Sequence, residues 1–261
     1  MIREGFKSQI IGANKEFRYR GIEPGRLENF SDACFALAIT LLLISTSPPT
    51  TFEQVRRFVW ELVPFTMCIT LLVLIWHEHF VFYFRYGLRN GPIIVLNAMF
   101  LIITLFYVYP LKFLTRTILL PLTYYSGEVE MFNDMIGMIN GEDWGLLLII
   151  YGIGAAAVFI VLALMYRHAL KKREELELNE IEVFDTRSRI TANLLMASVP
   201  MISAIAAMFL YESRYAPQVA GPLYFLYTPI MFINGFRSDK KRRQLLKKLE
   251  QPEEQPTLDV A

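Results

Sequence analysis

The feature that most constrains this chain is a succession of apolar runs, each as long as a helix that crosses a bilayer. Runs at 58–79, 93–114, 144–166, 190–211 and 219–236 approach the ~20 residues an α-helix needs to traverse the hydrocarbon core. Charges collect in short blocks between them, although hydrophobic residues make up only 54% of the whole. A soluble fold would instead interleave polar and apolar residues along amphipathic elements. The predicted fold class is therefore an all-α integral membrane protein. Pro64, Pro110, Pro200 and Pro229 fall within or near the ends of these runs. Membrane helices tolerate such breaks where neighbours satisfy the freed carbonyl. Trp60, Trp76, Trp144, Tyr124, Tyr125 and Tyr211 crowd the ends, as an interfacial aromatic belt does.

A shorter run needs a separate argument. Within 30–47 the uninterrupted apolar stretch, 33–44, follows Asp32 directly, and its length fits a core helix or re-entrant segment as readily as a span. Charge asymmetry decides the matter, because basic segments prefer the cytoplasm. Arg3, Lys7, Lys15, Arg18, Arg20 and Arg26 precede the run. Arg85 and Arg89 occupy the 82–90 loop, and Arg167, Lys171, Lys172, Arg173, Arg187 and Arg189 the 167–189 loop. Arg237, Lys240, Lys241, Arg242, Arg243, Lys247 and Lys248 follow the last run. The 117–143 loop has no Lys or Arg and carries Glu128, Glu130, Asp134, Glu142 and Asp143. Six spans place the dense basic blocks inside and the acidic loop outside, whereas five would strand one basic end. Arg56, Arg57, Lys112, Arg116 and Arg214 are then left at or near the outer face.

This organisation predicts a cytoplasmic N-terminal segment (1–25), a six-helix transmembrane domain (26–238) and a basic, then disordered, cytoplasmic tail (239–261). The first ~29 residues lack the apolar core of a cleavable signal, so the first span acts as an uncleaved anchor. A net charge of +1 gives no bulk field that would attract nucleic acid. Cys34 and Cys68 both lie in apolar runs and read as small buried hydrophobes. The 171–182 stretch mixes charges at helical spacing, which predicts a solvated extension of the fourth span. The basic 240–248 tail reads first as a positive-inside anchor and second as a contact for anionic lipid headgroups.

Chemistry concentrates at the start of the first span. An ionisable residue in a membrane helix is costly unless paired or solvated, which makes Asp32 a functional-site candidate. Ser31 and Asp32 could equally form an N-terminal cap. At about 100° per residue, Leu37 and Ile44 fall within roughly 20° of each other, flanked by Thr40 and Leu41. Asp32 lies roughly 140° away from Leu37. One face thus carries branched apolar side chains and a hydroxyl, while the acid points elsewhere, where it can tie the helix to a neighbour. A Leu/Ile column of this kind is, on geometry alone, more often lipid- or helix-facing.

Arg26, Phe30, Ser31 and Asp32, followed by Ala33, Phe35, Ala36, Ala38, Ile39, Thr40, Leu41 and Leu42, form an Arg-x-x-x-Phe-Ser-Asp signature with its apolar continuation. This stretch resembles the first helix of the transmembrane protein 175 potassium channel family, in its bacterial branch. Trp76 and His79 in the second span, and Leu96, Asn97, Phe100, Leu101 and Pro110 in the third, extend the likeness over about 26–115. The resemblance implies subunits of six helices, four of which assemble with the first helix of each lining a central pore. It further implies apolar rings at Leu37, Leu41 and Ile44, a hydroxyl layer at Thr40, and a brace of Arg26, Phe30, Ser31, Asp32, Trp76, His79 and Asn97. The implied activity is passive, potassium-selective cation conduction in the cell membrane, with K⁺ as permeant ion and no cofactor. The implied partners are further copies of the chain, membrane lipids and K⁺. The motif occurs once, so one chain does not build a pore from two repeats. His79-Phe80 stands where the family often has a His pair, and the 117–143 loop and both termini are longer than usual.

Other patterns lead elsewhere or nowhere. His77 and His79 flank Glu78, but two residues of separation put the rings about 200° apart, so one helix cannot offer both to a metal. Gly152 and Gly154, and the small residues of the 190–211 run, predict close helix packing. A secondary transporter of the same fold is the main rival. It commonly shows internal repeats around a polar midplane site, and neither is visible here. A proton-conducting variant of the channel is a second alternative. A membrane enzyme would need reactive groups clustered at one depth, and the spans supply almost none.

Overall fold

A computed structural model of the protein describes residues 17–44, 49–119, 125, 133, 137, 143–211 and 215–250. The described regular structure is helical: α1 (Arg26–Ile44), α2 (Phe52–Tyr86), α3 (Gly91–Ile118), α4 (Asp143–Lys171), α5 (Glu180–Phe209), α6 (Ala216–Ala220), a 3₁₀ turn (Pro222–Leu226) and α7 (Tyr227–Glu250). Among the described residues, five helical stretches are long and apolar enough to cross a membrane: α2, the Gly91–Val108 part of α3, α4, α5 and Ala216–Leu249. The protein is a multi-pass α-helical membrane protein. The acidic 117–143 loop falls largely, and the 1–16 and 251–261 segments entirely, outside the described residues.

Local signals set the helix ends. Thr51 caps α2 by accepting the Gln54 N–H, and Gly87 closes it in the left-handed conformation, φ 58°, returning its N–H to the Tyr83 carbonyl. Any side chain at Gly87 would meet both a left-handed penalty and the Arg20 carbonyl, 2.9 Å from an added Cβ. Between these caps α2 runs 35 residues, about 50 Å at helical rise, so it projects beyond the 58–79 run. Asn90 caps α3 by accepting the Ile93 N–H.

Two expectations change. The 171–182 stretch does not prolong α4. That helix stops at Lys171, the chain turns through Glu177 at φ 47°, and a capping box of Asn179 and Glu182 starts α5. Glu182 is fully buried rather than solvated. The 219–236 run lies within one candidate span but is not continuous α-helix: the 3₁₀ turn separates α6 from α7. Gly221 and Pro222 interrupt it, because proline offers no N–H to the preceding turn. The Ala220 carbonyl at the break accepts from Ser203 Oγ at 2.9 Å, and the Met196 carbonyl of α5, freed by Pro200, accepts from Tyr227 Oη at 2.8 Å.

The most extensive packing is between α4 and α5, whose small residues let the backbones approach. An added Cβ at Gly145 would sit 3.2 Å from the Tyr211 carbonyl, and one at Gly152 only 2.5 Å from the Pro200 carbonyl. Those pairings run in opposite chain directions, so the two helices are antiparallel. Helix α3 packs on α4, and α1 is held by α2 and α3. One core cluster joins Phe35, Phe82, Tyr86, Phe100, Leu162 and Tyr166 towards the N-terminal end of α1. A second gathers Ala38, Leu42, Cys68, Leu72, Tyr107 and Tyr151 towards its C-terminal end.

Candidate functional site

Helix α1 has two unlike faces. Ser31, Phe35, Ala38 and Leu42, each no more than 5% exposed, follow the i, i+4, i+7, i+11 spacing of a packed helix face. They meet α2 and α3. The opposite face carries Ala33, Ala36, Leu37, Thr40 and Leu41, all exposed, with Leu37 at 57%. Ile44 ends the helix, and its side chain lies outside the described part. Among the described residues no helix covers this face.

Polar contacts fix the packed face. Asn97 of α3, 1% exposed, donates from Nδ2 to Ser31 Oγ at 3.0 Å, and its Oδ1 lies 2.6 Å from His79 Nε2 on α2. Ser31 also donates to the Leu27 carbonyl at 2.9 Å. These buried groups satisfy one another, which a low-dielectric setting demands. Around them the His79 ring stacks on Phe100 with centroids 5.0 Å apart and 11° between planes, and Phe35 lies 6.1 Å from both.

One residue further along, Asp32 accepts a hydrogen bond from Trp76 Nε1 at 2.7 Å. Trp76 in turn stacks on Phe80, centroids 5.5 Å apart. Neither Ser31 nor Asp32 is the helix cap, because α1 already begins at Arg26. The structure thus brings together Ser31, Asp32, Trp76, His79 and Asn97. Arg26 and Phe30 stand apart from that cluster: Phe30 is 60% exposed, and the Arg26 side chain is exposed. Glu78 points away from its histidine neighbours to pair with Arg189 at 3.1 Å.

Several polar ties to α1 have no counterpart in the sequence motifs. Arg89 reaches Glu28 at 3.2 Å and the Glu23 carbonyl at 2.7 Å. Lys112, 9% exposed, donates from Nζ to the Leu42 carbonyl at 3.2 Å, near the electronegative end of α1 where a cation is favourable. Arg20 binds Glu182. Only Asn179-x-x-Glu182 left a local signal, that of a capping box.

A sequence profile of the family described as "Endosomal/lysosomal potassium channel TMEM175" matches residues 26–107, the stretch that holds α1, α2 and most of α3. A protein of Marivirga tractuosa named "Potassium channel" is 42% identical over 238 residues, covering 91% of this chain and 96% of that protein. The chain belongs to the TMEM175 potassium channel family. A crystal structure of a variant of the potassium channel MtTMEM175, in complex with a nanobody–MBP fusion protein, superposes with a TM-score of 0.79 at 41% identity. That match spans 87% of this chain and 99% of the solved one, so the likeness to TMEM175 channels extends well beyond the first three helices.

Proposed function

We propose that this TMEM175-family chain is one subunit of a homotetrameric, potassium-selective channel whose pore is lined by α1. The observation that carries this reading is the two-faced helix itself. One face is locked by Ser31, Asn97, His79, Asp32 and Trp76, and the other leaves Leu37, Thr40 and Leu41 exposed among the described residues. Four copies turned inward would make apolar rings at Leu37, Leu41 and Ile44. Such a constriction gates by dewetting. The Thr40 hydroxyl donates back to the Ala36 carbonyl at 2.9 Å, which leaves its oxygen lone pairs free to accept a partly dehydrated cation. Exposed Arg26 and Phe30 are then available to brace α1 against a neighbouring subunit.

In this reading α1 is a sixth span, both termini lie in the cytoplasm, and the protein resides in the cell membrane. Conduction is passive and needs no cofactor. Purified protein in liposomes under opposing K⁺ and Na⁺ gradients tests it. A K⁺-favouring current independent of any second ion is expected. Saturable flux that stops when a coupling ion is withdrawn would refute the channel and establish a transporter.

A further inference from the structure

The pore helix is preceded by a short strap, Phe17 to Gly25, that is fastened to two other parts of the molecule. Its Arg20 and Gly21 N–H groups donate to the Arg85 and Phe84 carbonyls at 3.2 and 3.1 Å. Phe17, 3% exposed, lies under the Arg85 guanidinium, 4.8 Å from the ring centroid. Gly21 is pressed so closely on α2 that an added Cβ would lie 2.0 Å from the Tyr83 carbonyl. The second attachment is to the start of α5.

Glu182 is the centre of that attachment. Its carboxylate, 0% exposed, accepts from the Arg18 N–H at 2.7 Å, from Arg20 Nη2 at 2.8 Å and Nη1 at 3.2 Å, and from the Asn179 N–H at 3.0 Å. The left-handed turn at Glu177 aims further carbonyls at the same guanidinium: Leu176 O accepts from Arg20 Nε at 2.8 Å and Glu177 O from Nη2 at 3.3 Å. Arg18 Nη2 also donates to Glu177 O. Between Gly21 and α1 the chain is stiffened by Pro24 and pinned by Arg89, which holds the Glu23 carbonyl and the Glu28 carboxylate. Polar contacts thus tie the strap to the α4–α5 turn at one end and to the first turn of α1 at the other.

A buried ion pair adds little net stability over an apolar pair of the same shape, but removing one partner is costly because it leaves the other charge buried and unpaired. We infer that Glu182, through Arg20, is a positioning residue for conduction: it holds the strap, and the strap holds the N-terminal end of α1. This rests on the reading that α1 lines the pore. A shift of the α4–α5 turn then moves the pore helix, whereas the width of the constriction itself is set elsewhere, at Leu37 and Leu41. The strap should govern how often the pore is open, with the unitary current left as it is.

The test is single-channel recording in liposomes of Glu182→Gln, Arg20→Gln and the double variant, beside Leu37→Ala. Each strap variant is expected to change the open probability by about threefold or more, and the double variant to match either single one, as for two members of one network. Unitary current should stay at the wild-type value in all three. Unchanged open probability in both single variants, or effects that multiply in the double one, would overturn the inference. Leu37→Ala should alter unitary current, and if it does not, the pore assignment fails independently of the strap. Where the strap variants do not assemble, amide exchange of the wild-type protein decides. The Arg18 amide, bound to Glu182, should exchange together with the Asn179 and Glu182 amides of the α5 cap, and exchange at the rate of a free loop would overturn the proposal.

Discussion

Replacing Asn97 with leucine should show that the brace behind α1 is held by polar matching rather than by volume. The substitution removes the acceptor 2.6 Å from His79 Nε2 and both contacts to Ser31 Oγ, at 3.0 and 3.3 Å. Ser31 keeps its bond to the Leu27 carbonyl, so its loss is about 0.6 kcal/mol, typical of side-chain bonds in membranes. His79, 1% exposed, is left with an unpaired ring nitrogen at about 1–3 kcal/mol. The expected total is about 2 kcal/mol. His79→Phe keeps the stack on Phe100 and costs about 1 kcal/mol, since Asn97 retains Ser31. Combining the two removes the unpaired nitrogen altogether. The double variant should then cost at least about 1 kcal/mol less than the sum of the singles. Unfolding midpoints in mixed detergent–SDS micelles measure all three. Strict additivity, or an Asn97→Leu cost below about 0.5 kcal/mol, would refute the account of the brace.

Other perturbations follow from the same geometry. Trp76→Phe keeps the stack on Phe80 but removes the 2.7 Å bond to Asp32, so it should cost about 1.5 kcal/mol in the same assay; adding Asp32→Asn should cost little more, and an unchanged midpoint for Trp76→Phe would contradict the pairing. Gly152→Ala places a Cβ 2.5 Å from the Pro200 carbonyl and 2.7 Å from Ala204 Cβ, so it should destabilise by about 1–3 kcal/mol. Gly91→Ala meets nothing within 4 Å and should be neutral or mildly stabilising, so equal midpoints for these two variants would refute the packing argument. Thr40→Val keeps the volume and removes the hydroxyl; reversal potentials under K⁺ and Na⁺ should show the permeability ratio moving towards unity, and an unchanged ratio would remove Thr40 from the selectivity layer.

What was legible in the sequence was whatever is encoded locally. Hydropathy placed the long runs because a bilayer accepts few charges over the length of a span. Helical geometry set Leu37, Thr40 and Leu41 apart from Asp32, and in the structure those three are exposed while Asp32 turns to Trp76 on α2. The break at Gly221-Pro222 had a signal too, but the surrounding Leu, Tyr and Phe residues outweighed it in a reading based on hydropathy. Glu182 was hidden for a different reason. A carboxylate in a charge-mixed stretch looks solvated, and its partner Arg20 lies 162 positions away. No periodicity reports a contact of that range; only the fold does. Lys112 reads in the same way as an outer-face charge until α1 and α3 are seen side by side.

The central claim, that the Leu37 face of α1 lines the permeation path, is tested most directly by cysteine scanning along that helix. The background would carry Cys34→Ser and Cys68→Ala, which removes both native thiols. Single cysteines at 37, 40 and 41 should give K⁺ currents that a charged, water-soluble thiol reagent blocks. Cysteines at 35, 38 and 42, whose native side chains are packed on α2 and α3, should be unaffected by it. Block confined to the packed positions, or no block at any of the six, would contradict the account and place the permeation path away from α1.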